Sequence, residues 1–312
     1  MVWARANCTK ACWAIASFMA VTAQAVAAQD DALSLDLDEP IEVEVKGELL
    51  EIALHTGAID FFNLLPETAA RLEIKPAFPM GKSNIKIGKT KVLTGRNRSI
   101  KFTVEGMPHK ARVSWFEGVS GIEGHGSVGP WALPHDRVAI RLGGALATPY
   151  SFPLFGRIDT QSFTRFTHDG GSMGLLFAVE NTGSYPIASA AAGAAIAKAY
   201  DGVATDEVWE EPIFFGVQRP VRLVRLGRPL VIGPFSFDAI AVRVRDRLDG
   251  LGAGDRLPEP ASADDDPSEI VVTAPDNKGP NPIFSFEIGR TALEQCSMIE
   301  YIKSAQEIRL SC

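Results

Sequence analysis

The sequence predicts a mostly-β protein made of two pseudo-symmetric lobes with a few short helices. Two observations carry this. Short runs of alternating apolar and polar residues, bounded by Gly, Pro, Asn or Asp, recur along most of the chain, the pattern of strands joined by turns. One phrase also occurs twice. Glu51-Ile-Ala-Leu-His55-Thr56-Gly57-Ala58 is an apolar strand entering a tight turn, and a short helical pattern opened by Pro66 follows it, Leu64 to Leu72. Leu175-Leu-Phe-Ala-Val-Glu-Asn181-Thr182-Gly183-Ser184 and an alanine-rich run to Tyr200 repeat that phrase.

The chain of 312 residues, 46 % hydrophobic, is long enough to bury a core in each of two lobes. Residues 1–28 read as a secretory signal peptide: Arg5 and Lys10, an apolar run from Ala11 to Val21, then Ala25-Val-Ala27-Ala28 as a small-residue cleavage pattern. A single N-terminal anchor is the alternative, for which the apolar run is short. Export, to a periplasmic space, is the expected location. Loss of Arg5 and Lys10 lowers the formal charge from -7 to about -9, a balance that argues against nucleic acid as a partner. Two cysteines remain, Cys296 and Cys312. Bridged, they close a loop of about 17 residues worth about 3 kcal/mol in the chain-entropy model and fasten the last strand; two free buried thiols are the other reading. No further segment has the apolar length of a membrane span.

In order, Asp30 to Pro40 is a short acidic leader. Ile41 to Val45 and Leu49 to Leu54 form a hairpin about Lys46-Gly47, and its second strand delivers His55-Thr56-Gly57. After the Pro66 helix come strand-like runs at 84–87, 91–93, 99–104 and 111–116, punctuated by Gly88, Gly95 and Gly106. Gly121-Ile-Glu-Gly124 and a strand from Arg137 to Leu142 close the first lobe, residues 29–142. Gly143 to Pro153 joins it to the second, residues 143–312. There, strands at 163–166 and 174–179 flank a hairpin signal at 168–171, and Ala188 to Tyr200 favours helix by its alanine density. Strands follow at 221–226 and 235–244. Residues 246–282 shift to Gly, Pro, Asp and Ser and read as a polar, disordered insertion. Phe286 to Gly289, Ala292-Leu293 and Glu307 to Leu310 end the chain. His55 to Gly124 spans 69 residues and Asn181 to Gly289 spans 108, and the excess nearly equals the insertion's 37 residues.

A strand ending in x-Thr-Gly-Ala or x-Thr-Gly-Ser, a short helix, a meander, a hydrophobic-Gly turn and a closing strand resembles one lobe of the retropepsin and pepsin-like aspartic proteases. Two such lobes in one chain resemble the bilobal form, and the signal peptide its exported bacterial members. The resemblance covers residues 40–245 and 283–312, with Ile288-Gly-Arg-Thr-Ala-Leu293, Cys296, Ile299, Tyr301 and Leu310 similar to the closing strands of the second lobe. It implies that Thr56 and Thr182 lock the two turns together, that Gly57 and Gly183 permit their close approach, and that Ala58 and Ser184 complete the turns.

The same resemblance exposes a departure. The family places an aspartate before each Thr-Gly, two carboxylates sharing one proton so that one activates water while the other protonates the carbonyl. His55 and Asn181 stand at those positions. An amide neither gives nor takes a proton near neutral pH, so the dyad's chemistry cannot run as written. The expectation is a catalytically degenerate protein that binds an extended peptide or protein segment between its lobes. The alternative is an active aspartyl-type peptidase using His55 as a lone base, with Asn181 orienting water or the oxyanion, or using an unidentified acid. Asp60 and Glu180 are acids near the two turns; alternation along a strand turns Glu180 away from a site that Asn181 faces, and Asp60 reads as a turn residue.

Other motifs lead elsewhere. Gly124-His-Gly126-Ser-Val-Gly129 matches G-x-G-x-x-G, but Pro130 to Pro134 forbids the helix a dinucleotide site needs. Ser127 with His125, His135 and Asp136 suggests a triad, but residue 125 is His where a nucleophile elbow needs Gly. The histidines at 55, 109, 125, 135 and 168 lack ligand spacing, and Asp264 to Asp266 lacks the pattern of a calcium loop, so neither metal nor cofactor is expected. Glu269 to Pro275 resembles the short box by which outer-membrane receptors engage TonB. It reads either as an edge or linker segment, or as a strand that a partner sheet could accept.

Overall fold

Residues 32–59, 61–87, 91–119, 121–156, 161–168, 171–244 and 284–312 are described in the computed structural model. The signal segment at 1–28, Asp60, the insertion at 246–282 and Glu269–Pro275 within it therefore lie outside the described residues. The first elements are β1 (Ala32–Asp36), β2 (Ile41–Val45), β3 (Glu48–Leu54), β4 (Phe62–Leu64) and α1 (Pro66–Arg71). Then come β5 (Lys82–Ile87), β6 (Lys91–Val104), β7 (Met107–Phe116), β8 (Gly126–Val128), a 3-10 turn (Pro130–Ala132) and β9 (Arg137–Arg141). The chain continues with β10 (Pro149–Pro153), β11 (Thr164–His168), β12 (Gly171–Ala178), β13 (Ile187–Ala188) and α2 (Ala190–Ala199). It closes with β14 (Val203–Phe214), β15 (Val217–Ile232), β16 (Phe235–Arg243), β17 (Ser285–Gly289), α3 (Arg290–Leu293), β18 (Met298–Ile302) and β19 (Glu307–Ser311).

The molecule is mostly β. Two seven-stranded sheets run β2-β3-β8-β4-β7-β6-β5 and β11-β12-β17-β13-β16-β15-β14, the same order written twice. Each sheet sends its fourth strand, β4 or β13, into a helix. That helix begins differently in the two halves: Pro66 opens α1 without a side-chain cap, whereas the Ser189 hydroxyl accepts from the Ala192 amide to cap α2. A third sheet, β1-β9-β18-β19-β10, takes strands from both halves, with β9 and β18 antiparallel at its centre. Leu33, Phe62, Val113, Val128, Phe177, Ile288 and Tyr301 belong to one continuous core that joins all three sheets.

Several expectations are corrected here. The acidic leader is strand β1, parallel to β9, because Leu33 and Leu35 alternate into the core while Ser34 and Asp36 face out. Gly95 lies inside β6 and does not punctuate it; the Phe116 ring lies where its Cβ would be, a close approach that only glycine permits. The runs at 91–93 and 99–104 are therefore one strand. Residues 203–214, read as no element, form an edge strand paired with β15. The Pro130 segment is a turn, as expected, and takes the form of a single 3-10 turn. Cys296 and Cys312 are both buried and bonded as a disulfide, which ties the end of β19 to the start of β18. Among the described residues no helix is long and apolar enough to cross a membrane.

Candidate functional site

The two turns are matched by the ladders beneath them. Leu54 pairs with Val128, and the His55 amide donates to the Val128 carbonyl at 3.0 Å. In the second sheet Phe177 pairs with Ile288 and Ala178 with Gly289. Val128-Gly129 and Ile288-Gly289 are the same hydrophobic-Gly step on the same third strand, so Leu54 corresponds to Phe177 and His55 to Ala178. Thr56 then corresponds to Val179, Gly57 to Glu180 and Ala58 to Asn181. Asn181 is thus not the counterpart of His55. The recurring Thr-Gly dipeptide shifts the apparent repeat by three residues, because β12 ends at Ala178 and the second Thr-Gly falls beyond the turn.

The hydrogen bonds between the turns agree with this register. The Thr56 hydroxyl, fully buried, donates to the Phe177 carbonyl at 2.6 Å and accepts from the Val179 amide at 3.1 Å. A Cβ on Gly57 would lie 2.5 Å from the Ala178 Cβ, so the turns approach as closely as glycine allows. Thr182 makes no return bond. It is exposed beyond the turn, as is Ser184. Glu180 supplies the return contact: its carboxylate accepts from the Thr56 amide at 3.1 Å and the Gly57 amide at 3.0 Å. Alternation does not turn Glu180 away, because the strand has already ended.

Asn181 organises its own side of the turn. Its Oδ1 accepts from the Gly183 amide at 2.9 Å, an Asx turn, and its Nδ2 donates to Glu287 at 2.6 Å. Its carbonyl accepts from the Arg290 amide at 2.7 Å. The Arg290 guanidinium donates to the Val179 carbonyl at 2.7 Å and forks onto Asp38 at 2.9 and 2.5 Å, a bidentate pair that ties the segment after β1 to the second turn.

A cavity of about 330 Å³ opens beside the turns, and His55, Glu123, Glu180, Thr182, Asp38 and Arg290 are among its lining. Burial holds the His55 imidazole down at about 4, against the opposing pull of Glu123, so the ring is neutral at ordinary pH. Burial pushes Glu180 up to about 6, opposed by its own amide and those of Gly57, Thr56 and Ala58. Burial likewise raises Glu287 to about 7; the bond from Asn181 and the charge of Arg243 oppose the rise, while the charges of Glu180 and Glu211 add to it. A neutral His55 imidazole and a partly protonated Glu180 carboxyl can exchange hydrogen bonds with a ligand in the cavity, but no two carboxylates face each other at residues 55 and 178.

The faces of both seven-stranded sheets away from the main core are also apolar. Ile187, Val221 and Ala241, with Tyr185 and Trp209, line the second sheet. Phe61, Leu93 and Phe116 line the first, where Phe215 from the β14–β15 turn packs on them, 6.1 Å from Phe61 and 5.3 Å from Phe116 between ring centres.

The other motifs are used structurally. The His125 imidazole accepts from the Glu51 amide at 3.1 Å, Asp136 accepts from Ser304, Ser127 is buried in β8, and His135 faces Glu105 at 3.8 Å. These four do not form a triad. Among the described residues no group of three or more His, Cys, Asp or Glu is placed to hold a metal ion. Sequence reasoning missed Glu180, Glu287 and the Arg290–Asp38 pair as parts of one site. Counting back from the two hydrophobic-Gly steps, instead of forward from Thr-Gly, is the signal that finds the register. In sequence, the chain matches no family model and no curated protein.

Proposed function

We propose that this chain has the bilobal architecture of the aspartic proteases, without their dyad, and holds an extended peptide or protein segment between its two seven-stranded sheets. What carries the reading is the junction of the turns. Thr56 reaches across to Phe177 and Val179, and the residues at the two matched positions are His55 and Ala178. A methyl group cannot take part in proton transfer, so even a competent His55 lacks a partner at residue 178. The repeated strand order supports two lobes, 29–142 and 143–312, and the packing of Phe215, from the β14–β15 turn, on Phe61 and Phe116 supports a second-half hairpin that reaches over the first sheet. The disulfide is compatible with export.

The rival reading is a working peptidase, and one observation favours it: the Glu180 carboxylate sits at the His55 turn and lines the same cavity. Purified protein incubated with denatured casein from acid to neutral pH separates the two. No cleavage is expected; cleavage that His55→Ala or Glu180→Gln abolishes would establish the peptidase instead. The architecture has its own test. His55→Asp and Ala178→Asp, combined with Val179→Thr and Glu180→Gly, rebuild an Asp-Thr-Gly at both turns, and pepstatin-sensitive cleavage is the expected gain. A folded but inert quadruple variant would count against the matched positions.

A further inference from the structure

Residues 75–112 carry ten Lys or Arg and a single acid, Glu105, in a chain that has 31 basic and 38 acidic residues overall. Apart from Lys89, which falls outside the described residues, these basic residues lie on the outer strands β5, β6 and β7 of the first sheet and on the loop before β5. Lys101 and Lys110 stand directly opposite one another in the β6–β7 ladder, an arrangement that costs stability unless an anion is near. At one end of the strip the loop between α1 and β5 presents Phe78 and Met80 to solvent, 98 % and 82 % exposed. They are the two most exposed large apolar side chains among the described residues.

The loop is fastened to the sheet. The Ala77 amide donates to the Asn97 carbonyl and the Asn97 amide to the Gly81 carbonyl, both at 3.0 Å. The Asn97 side chain adds a bond to the Lys82 carbonyl at 3.3 Å, and Arg98 donates to the Lys75 carbonyl at 2.9 Å. Phe78 and Met80 are therefore held out on a braced tip, with Lys75, Lys82, Arg96 and Arg98 around its base.

We propose that this tip docks the protein on an anionic lipid surface, Phe78 and Met80 entering the headgroup boundary while Lys75, Lys82, Arg96 and Arg98 face the lipid charges. Apolar side chains carried above a basic ring fit such an interface on both counts. A second copy of the chain would set the same positive strip against itself. The disulfide fits an oxidising compartment, where a bilayer rather than nucleic acid is the extended anionic surface.

The test is flotation of the full chain with vesicles of phosphatidylcholine containing about one third phosphatidylglycerol, against pure phosphatidylcholine. An apolar leader retained at the N-terminus adds equally to every variant, so the differences between variants report on the loop. Phe78→Ser with Met80→Ser is expected to lower partitioning onto the anionic vesicles about tenfold. Lys75→Ala and Lys82→Ala are expected to lower it roughly fivefold each, an effect that high salt removes. Circular dichroism checks folding; should the serine pair misfold, the two lysine variants and the salt titration decide. The proposal is overturned if the serine pair floats like wild type, if the lysine variants do not respond to lipid charge, or if wild type ignores the vesicles and instead binds RNA or dimerises through the loop.

Discussion

At the end of β3 the chain offers a hydroxyl across the repeat; at the end of β12 it offers a carboxylate. Thr56 bonds the backbone of Phe177 and Val179, and Glu180 bonds the backbone of Thr56 and Gly57. Both turns are locked to each other by unlike groups that stand one position apart in the matched register. The contact is what the architecture needs, since two strand ends that meet in the interior leave amides and carbonyls that must find partners. Either a short hydroxyl or a long carboxylate satisfies them. Position 55 and its counterpart Ala178 are under no such demand, and there the two halves carry an imidazole and a methyl group.

The comparison breaks most sharply at Thr56. Thr56→Val keeps the shape and removes the bridge, leaving the Val179 amide without a partner in the interior and the Phe177 carbonyl with only the Tyr301 hydroxyl at 3.2 Å. A loss of about 3 kcal/mol is expected in denaturant unfolding, and a loss below about 1 kcal/mol would mean that Glu180 alone holds the turns together.

The two sides also carry opposite pH dependences. For His55 the folded value of about 4 lies below the ordinary 6.5, so the unfolded chain takes the proton first. Its contribution is intact above pH 6.5 and is lost as pH falls toward 4. Glu180 and Glu287 are raised to about 6 and about 7 from 4.5. The folded state holds those protons longer, so their contribution is whole below pH 4.5 and is lost as pH rises through 6 and 7. His55→Asn should flatten the acid side by about 3 kcal/mol at pH 4, and Glu287→Gln, which can still accept from Asn181, should gain about 3 kcal/mol at pH 8. Equilibrium unfolding across pH checks both, and parallel profiles for the two variants would refute the assignment of opposite signs to the two sides.

The smallest effect concerns the helices that follow the turns. Ser189→Ala removes the cap that α2 has and α1 lacks, together with the bond that the same hydroxyl accepts from the Ser285 amide at 3.2 Å, at a cost of about 1 kcal/mol. An unchanged unfolding midpoint would show that packing of the alanine face, not the cap, fixes where α2 begins.

Much of this was legible in the residues. The Ile41–Leu54 hairpin, the alanine helix, the strands at 221–226 and 235–244 and the pairing of Cys296 with Cys312 follow from local periodicity, propensity and the small number of cysteines in the described chain. The repeat was legible too, as a repeat. Its register was not. A strand's alternation says which residues share a face, but nothing local says where the strand stops, and stopping at Ala178 decides that Glu180 faces Thr56. The sequence by itself determined a mostly-β chain that says the same thing twice, because apolar alternation and turn residues are short-range signals. Only the tertiary structure decided which residue stands opposite His55, because that depends on pairing with Gly289, more than a hundred residues away.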